Sequence, residues 1–305
     1  MKTVCNDSKN QVLFSCGTHD GTFHADEVTA CALLCLFGLI EVDKIVRTRD
    51  PEVLARCQYV CDVGGVYDPK IKRFDHHQVE YQGFFSSAGM ILKYLLSQKF
   101  MTKREYDHFN HLLVMGVDAH DNGRDPSILG YCSFSHIISN FTPIDYECSP
   151  AEQEEAFHQA LQFTLAHLKR LKARFEYTTS CKAAVKEAMQ KMDPKKRCLI
   201  FAKNMPWIDA FFDLGGQSHQ ALFVVMPSGK HWKLRAIPPS YKERMKVRHP
   251  LPEKWAGLLE EELKQVSQIK EAIFCHKGRF ISVWKTKEAA LQALDETLKN
   301  LPDRH

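Results

Sequence analysis

The sequence feature that most restricts the fold is a pair of short apolar runs that end in ionisable side chains. Tyr59-Val60-Cys61-Asp62-Val63-Gly64-Gly65 is followed closely by Phe74-Asp75-His76-His77-Gln78. A brief apolar run bounded by turn residues reads as a buried strand. A carboxylate followed directly by two imidazoles at the end of such a run is rare by chance. Oxygen and nitrogen donors crowded in this way suit Mn²⁺, Fe²⁺, Co²⁺ or Zn²⁺. Two more clusters accompany it, Gly17-Thr18-His19-Asp20-Gly21-Thr22-Phe23-His24-Ala25-Asp26-Glu27 and Gly116-Val117-Asp118-Ala119-His120-Asp121-Asn122-Gly123. All three are expected at strand ends, which is enough for a two-metal site and points to a metal-dependent hydrolase.

The surrounding pattern is α/β. Strands are predicted at Val12–Cys16, Lys44–Arg47, Gln58–Asp62 and Lys72–Phe74, with helices over about 26–37, 87–98 and 103–115. Strand–helix alternation implies a parallel sheet covered by helices on both faces. In such sheets sites form beyond the carboxyl ends of the strands. Residues 151–192 change character to Ala, Glu, Gln, Lys and Leu. Phe157, Leu161, Leu165 and Leu168 fall at helical spacing, so a long helix or helix pair is expected before Asp193-Pro194. A second block carries strands near 198–202, 220–226, 231–237 and 272–276 and a final helix over about 286–299. The expected division is a parallel-sheet metal-binding catalytic domain over 1–140, a helical connector over 141–195, and a smaller substrate-binding α+β domain over 196–305.

Composition adds limits rather than an answer. The chain has 305 residues, 44% hydrophobic and 26% charged, ordinary for a soluble globular protein of two domains. Charge is unevenly spread. Residues 1–140 carry 14 Lys/Arg against 17 Asp/Glu, as a carboxylate-rich site requires, and residues 227–254 carry 8 against 2, which suits an anionic substrate. The eleven cysteines show no zinc-finger or disulfide-scaffold spacing, so reduced thiols in a cytoplasmic protein are expected. The first residues show no signal or transit pattern. The longest apolar run, 30–40, is too short for a bilayer, which takes ~20 residues.

The candidate ligands are His19, His24, Asp26, Asp62, Asp75, His76, His77, Asp118 and Asp121. Singly, each has an ordinary explanation. Asp26 suits a helix N-terminus, while Asp62 and Asp121 suit turns. Asp125-Pro126 reads as a turn, and His108, His111, His120 and His136 read as structural. Jointly, the three clusters favour a metal site with ions ~3.5–4 Å apart, which usually shares a bridging carboxylate.

These clusters resemble the Asp-His-His phosphoesterase superfamily, and more closely its melanocyte-proliferating-gene branch of metal-dependent hydrolases or exonucleases. The resemblance rests on residues 17–27, 62–69, 73–78 and 118–123 and continues into Leu251-Pro252-Glu253-Lys254-Trp255-Ala256-Gly257-Leu258. It implies two Mn²⁺-type ions on His19, His24, Asp26, Asp62, Asp75, His76, His77 and one of the acids in 118–121. His24 stands where other superfamily members carry the first acid of an Asp-x-Asp. The resemblance also implies a second domain that binds substrate, including the strand Trp232-Lys233-Leu234-Arg235. The branch has a glycine-rich stretch near its end, after a histidine. Here Arg279, Ser282, Val283 and Trp284 replace the small residues that would let a backbone approach a phosphate.

The leading reading is a two-metal phosphodiesterase acting on nucleic acid or short oligonucleotides, a 3′–5′ exonuclease. Asp75, His76 and His77 serve the chemistry, with whichever imidazole is not a ligand orienting substrate or acting as general acid. Lys233, Arg235 and His276 contact substrate, and the basic stretch 242–248 neutralises phosphates. Tyr241 and Trp255 read as packing residues before base-stacking ones. The alternatives are a small-molecule phosphatase or pyrophosphatase, and a nucleic-acid-binding regulatory protein with a degenerate site. The sequence leaves the oligomeric state open.

Overall fold

The computed structural model describes residues 11–299 apart from 127 and 146. The chain divides into two compact units, the first through Phe175 and the second from Glu176. Among the described residues no helix is long and apolar enough to cross a membrane.

The first unit opens with β1 (Val12–Thr18), α1 (Ala25–Leu36), β2 (Ile45–Arg47), α2 (Pro51–Arg56) and β3 (Cys57–Cys61). A short pair follows, β4 (Tyr67–Asp68) and β5 (Arg73–Phe74). The sheet order is β2-β1-β3-β5-β4. β1 is parallel to both neighbours, β3 is parallel to β5, and only β4 runs antiparallel. The register places Gly17 beside Val60 and Val46. A Cβ on Gly17 would collide with the side chains of Leu54 and Cys57, so glycine there lets α2 close on the sheet. α2 starts sharply because Asp50 accepts from the Glu52 N–H at 2.8 Å and Pro51 pre-sets the first turn.

The helices that follow are α3 (Ser87–Ser97), α4 (Lys103–Phe109), α5 (Met115–Asp121), α6 (Phe134–Ser139) and α7 (Pro150–Ser180). Ten consecutive residues of α1, Ala25 to Leu34, are buried, the polar Asp26, Glu27 and Thr29 among them. Its Leu33 and Leu34 join Ile91 and Leu92 of α3, Val117 of α5 and Phe74 of the sheet in one core. Phe157, Leu161, Leu165 and Leu168 of α7 belong to that core as well, so the first half of the segment read as a connector packs inside the first unit. On the other sheet face Leu54 packs with Cys57, Val60 and Val63. Cys16 lies 3.9 Å from both Cys31 and Cys61, sulfur to sulfur, in the dry core. Ten cysteines are free thiols, and Cys5 lies outside the described residues.

Two local expectations are corrected. The helix expected over 103–115 continues to Asp121, interrupted by a π-helical turn at Asn110–Val114. The apolar positions Phe109, Leu113, Val114 and Val117 keep facing the core across that turn, so the periodicity never stops where a boundary was placed. In consequence Asp118 and Asp121 lie on a helix rather than at a strand end.

The second unit comprises α8 (Lys182–Gln190), β6 (Cys198–Ile200), α9 (Ile208–Asp213), β7 (Phe223–Ser228), β8 (His231–Ala236), α10 (Glu260–Ser267), β9 (Ala272–Cys275), β10 (Ile281–Trp284) and α11 (Lys287–Leu298). The sheet order is β6-β7-β8-β10-β9, with β6 parallel to β7 and the remaining pairs antiparallel. One face packs on α10 and α11 through Leu263, Ala290 and Leu294, and the other holds Val185, Phe211, Val224 and Met226. The segment 281–284, flagged for lacking glycine, is an in-sheet strand. Ser282 and Trp284 are buried, and the Trp284 indole N–H donates to Ser282 Oγ at 2.9 Å. Trp255 packs edge-on against Trp284 at 5.6 Å, which makes it core. β8 is the central strand, not an exposed edge.

Candidate metal centre

Asp62 leaves β3 with a φ of 58°, a left-handed conformation that Asp tolerates better than most residues but that still costs about 1 kcal/mol. The twist turns its carboxylate to the middle of a ring of imidazoles. Oδ2 lies 3.5 Å from His19 Nε2, and Oδ1 lies 3.4 Å from His76 Nε2 and 3.5 Å from His77 Nδ1. His76 Nε2 also faces Asp121 Oδ2 at 3.0 Å and Asp26 Oδ2 at 3.8 Å. The 3.0 and 3.4 Å spacings match those between neighbouring ligands on an ion about 2.1 Å from each donor, roughly 3.0–3.4 Å, and the 3.5–3.8 Å spacings are somewhat longer. His76 Nε2 is buried and makes no hydrogen bond among the described residues. A buried donor without a partner, aimed at three carboxylates, fits a cation.

Three donor sets of mutually close atoms meet here: His19 with His24 and Glu27, Asp62 with His76 and His77, and Asp26 with His76 and Asp121. Glu27 was absent from the sequence-derived set. It sits at the third position of α1, where its Oε1 accepts from the His24 N–H at 2.8 Å and lies 3.1 Å from His19 Nε2, while Oε2 has no hydrogen-bond partner among the described residues. The signal was available as an acid three residues after a helix-capping position.

Asp75 and Asp118 are engaged elsewhere. Asp75 accepts from the Gly65 N–H at 2.6 Å, the His77 N–H at 3.1 Å and His77 Nδ1–H at 2.8 Å. It shapes the loop and orients His77, whose side chain is 63% exposed and so reachable by a substrate. Asp118 Oδ1 accepts from the Ser86 and Gly89 N–H groups at 3.0 and 3.1 Å and from Ser86 Oγ at 2.8 Å. Asp26 accepts from the Ser87 and Ala88 N–H groups at 2.9 and 2.6 Å. Two carboxylates therefore cap the N-terminus of α3, where the helix dipole favours negative charge. Ser86 Oγ stands 2.5 Å from Asp26 and 2.8 Å from Asp118, but a hydroxyl has one proton to give. Burial accordingly holds the Asp118 carboxyl up at about 6 despite its hydrogen bonds.

The site is a tightly charged pocket. Burial pushes the His19 imidazole down, yet Asp62 and Glu27 outweigh it and hold its pKa at about 10. His76 is held at about 10 in the same way by Asp121 and Asp62. Burial raises Asp26 well above the carboxylate range, helped by the charges of Asp62 and Asp121. Asp62 goes the other way, because its histidine partners overcome the burial that would raise it. The cleft over these groups has a volume of about 1060 Å³ and is lined also by Arg49, Gly64 and His120.

The proposed substrate contacts lie in the second unit. Lys233 and Arg235 are half-buried on β8, opposite Met226 and Val224 of β7. Lys233 donates to Asn204 at 3.0 Å. His276 Nδ1 accepts from the Gly278 N–H at 2.9 Å and its ring lies against Phe280, so it also holds a tight turn. Within the basic stretch 242–248, Arg248 is spent on the carbonyls of Gly216, His219, Ala221 and Pro238. Arg244 pairs with Asp209, and Lys246 pairs with Glu243.

The sequence matches the MYG1_exonuc family model, described as an uncharacterised protein family (UPF0160), over residues 15–298. A MYG1 protein of Chlamydia pneumoniae is 52% identical over 290 residues, covering 95% of this chain and 98% of that one. The human protein named MYG1 exonuclease is 34% identical over 324 residues, covering 92% and 85%. Among solved structures, RecJ of Thermus thermophilus in complex with Mn²⁺ aligns over 95% of this chain and 53% of its own, at 13% identity and a TM-score of 0.29. This chain thus spans about half of that RecJ. With the family model matched along nearly its whole length and relatives aligned over more than nine-tenths of it, the chain belongs to the MYG1 family.

Proposed function

We propose that this protein is a two-metal phosphodiesterase that shortens nucleic acid or oligonucleotides from one end, in the 3′–5′ direction. The observation that carries the reading is Asp62, one carboxylate facing His19 with one oxygen and His76 with the other. His19, His24 and Asp62 would hold one ion, with Glu27 behind His19. Asp26, Asp62, His76 and Asp121 would hold the other. The mixed nitrogen and oxygen donors suit Mn²⁺. Ions bound there would act as Lewis acids on the phosphate and make a water nucleophilic at neutral pH.

The chain's own groups supply the rest. Asp75 fixes the His77 tautomer by accepting from Nδ1–H, which leaves Nε2 open to the cleft. His77 is placed to donate a proton to a departing oxygen or to contact a phosphate. Arg49, on the cleft wall and paired with the exposed Asp20 at 3.2 Å, is a phosphate ligand of the forked kind. Lys233 and Arg235, with His276, are proposed to hold substrate further along. The exonuclease named among the relatives supports a nucleic-acid substrate, and the free thiols support a reducing, cytoplasmic setting.

Labelled oligoribonucleotide, oligodeoxyribonucleotide and pyrophosphate, assayed with Mn²⁺ and with each end blocked in turn, test the reading. Asp62→Asn and His76→Ala should each lower oligonucleotide cleavage on the order of 100-fold or more and lose bound metal. Lys233→Ala and Arg235→Ala should weaken oligonucleotide cleavage with metal retained and flatten its salt dependence by a slope of roughly one. Full activity in chelator, or pyrophosphate as the sole substrate, would reject it.

A further inference from the structure

A second cluster of metal-type donors stands beside the cleft. His120 Nδ1 lies 3.0 Å from Asp125 Oδ2. The rings of His120 and His136 are 5.1 Å apart and nearly perpendicular, at 78°. Ligand atoms of all three side chains lie within 4.8 Å of one another. A hydrogen bond between His120 and Asp125 would account for that pair alone. The edge-to-face contact of the two rings is itself favourable, and it also brings nitrogens of both imidazoles to the same carboxylate, as a shared ion requires.

His136 is also prepared for that role. Ser133, buried and fixed as the N-cap of α6 by accepting from the His136 N–H at 3.2 Å, lies 3.0 Å from His136 Nδ1. The serine holds the ring by its Nδ1 edge; in the tautomer whose Nδ1–H donates to Ser133 Oγ, Nε2 carries the free lone pair, the arrangement in which an outer hydrogen bond orients a metal-ligating histidine. The 3.0 Å between His120 and Asp125 equals the separation of adjacent ligands on an ion about 2.1 Å from each. Two imidazoles and one carboxylate with an open position are a donor set for a borderline cation such as Zn²⁺.

We propose that His120, Asp125 and His136 form a third divalent-ion site, separate from the ligands grouped around Asp62. It ties the end of α5 to the start of α6 at the cleft wall, to which His120 belongs. An ion there leaves one coordination position for water or for a phosphate oxygen of a substrate running past the cleft.

The test is Zn²⁺ alone, titrated into the full chain against a chromophoric chelator. The wild type should bind one more equivalent than His136→Ala and one more than Asp125→Asn, with both variants keeping the wild-type circular dichroism. Asp62→Asn should retain this equivalent, so failure of the main centre does not erase it. Trypsin cleavage after Arg124, between α5 and α6, should slow when Zn²⁺ is added to the wild type and not when it is added to His136→Ala. Equal stoichiometry in the wild type and both variants, or Zn²⁺-independent cleavage at Arg124 in all of them, would overturn the proposal.

Discussion

His19 and His76 are almost fully covered, and carboxylates on several sides hold both protonated far above neutrality in the apo protein. To ligate a metal, each must be neutral. Binding at pH 8 should therefore release roughly one proton from each, and affinity should rise with pH. Calorimetric titration in buffers of different ionisation enthalpy reads the number directly, and zero release would show that neither ring ligates. The same shifts set the stability of the apo form. Each folded-state pKa is raised above its unfolded value of 6.5, so the contribution is complete below about pH 6.5 and disappears as pH climbs toward 10. Apo protein should melt progressively lower across that window, whereas the loaded protein should not follow. Most of these residues could be picked out from cluster spacing alone. The division of labour could not, because Asp75 and Asp118 have the same chemistry as Asp62 and Asp121. Only the backbone N–H groups of Gly65, Ser86 and Gly89 decide where their oxygens go.

Most strands, α1 and the long helix α7 were legible because apolar periodicity and breakers agree there, whereas β4 and β10 were not read. The π-helical turn at Asn110–Val114 was not, since a single extra residue leaves the local pattern looking helical throughout. Its effect is large. One residue of helix is 100° of rotation, and the turn sets the phase of α5 relative to α4. Deleting Leu112, 59% exposed within the turn, should let the backbone close into continuous α-helix. The helix should survive, while Asp118 and Asp121 rotate away from α3 and His76. Far-ultraviolet circular dichroism near wild type with loss of about one bound ion is the expected outcome. Unchanged metal content would show that the turn does not set the site. Asp118 and Asp121 were expected at a strand end for the same reason, because the predicted helix stops at 115.

Taken as a molecule, the chain keeps its candidate metal donors in the first unit and the basic strand β8 in the second. The packing of α7 determines what can be cut. A fragment ending at 140 loses Phe157, Leu161, Leu165 and Leu168 from the first core, at a cost of about 2–5 kcal/mol for each side chain removed. A fragment ending at 175 keeps them. We expect 1–175 to be monodisperse and to bind metal, and 1–140 to aggregate or bind a dye for exposed apolar surface. A well-folded 1–140 would show that α7 is dispensable. The crowd of acids around His76 carries a further consequence for the protein in a cell. A ligand that binds only the folded state adds RT ln(1 + [L]/Kd) to stability, about 2.7 kcal/mol at a hundredfold excess over Kd. A core that brings like charges together without an ion gives up part of its margin, and a marginal fold is cleared by proteases. The amount of this protein that survives would then follow the local supply of divalent metal, so that starvation for the ion removes the enzyme itself as well as its activity.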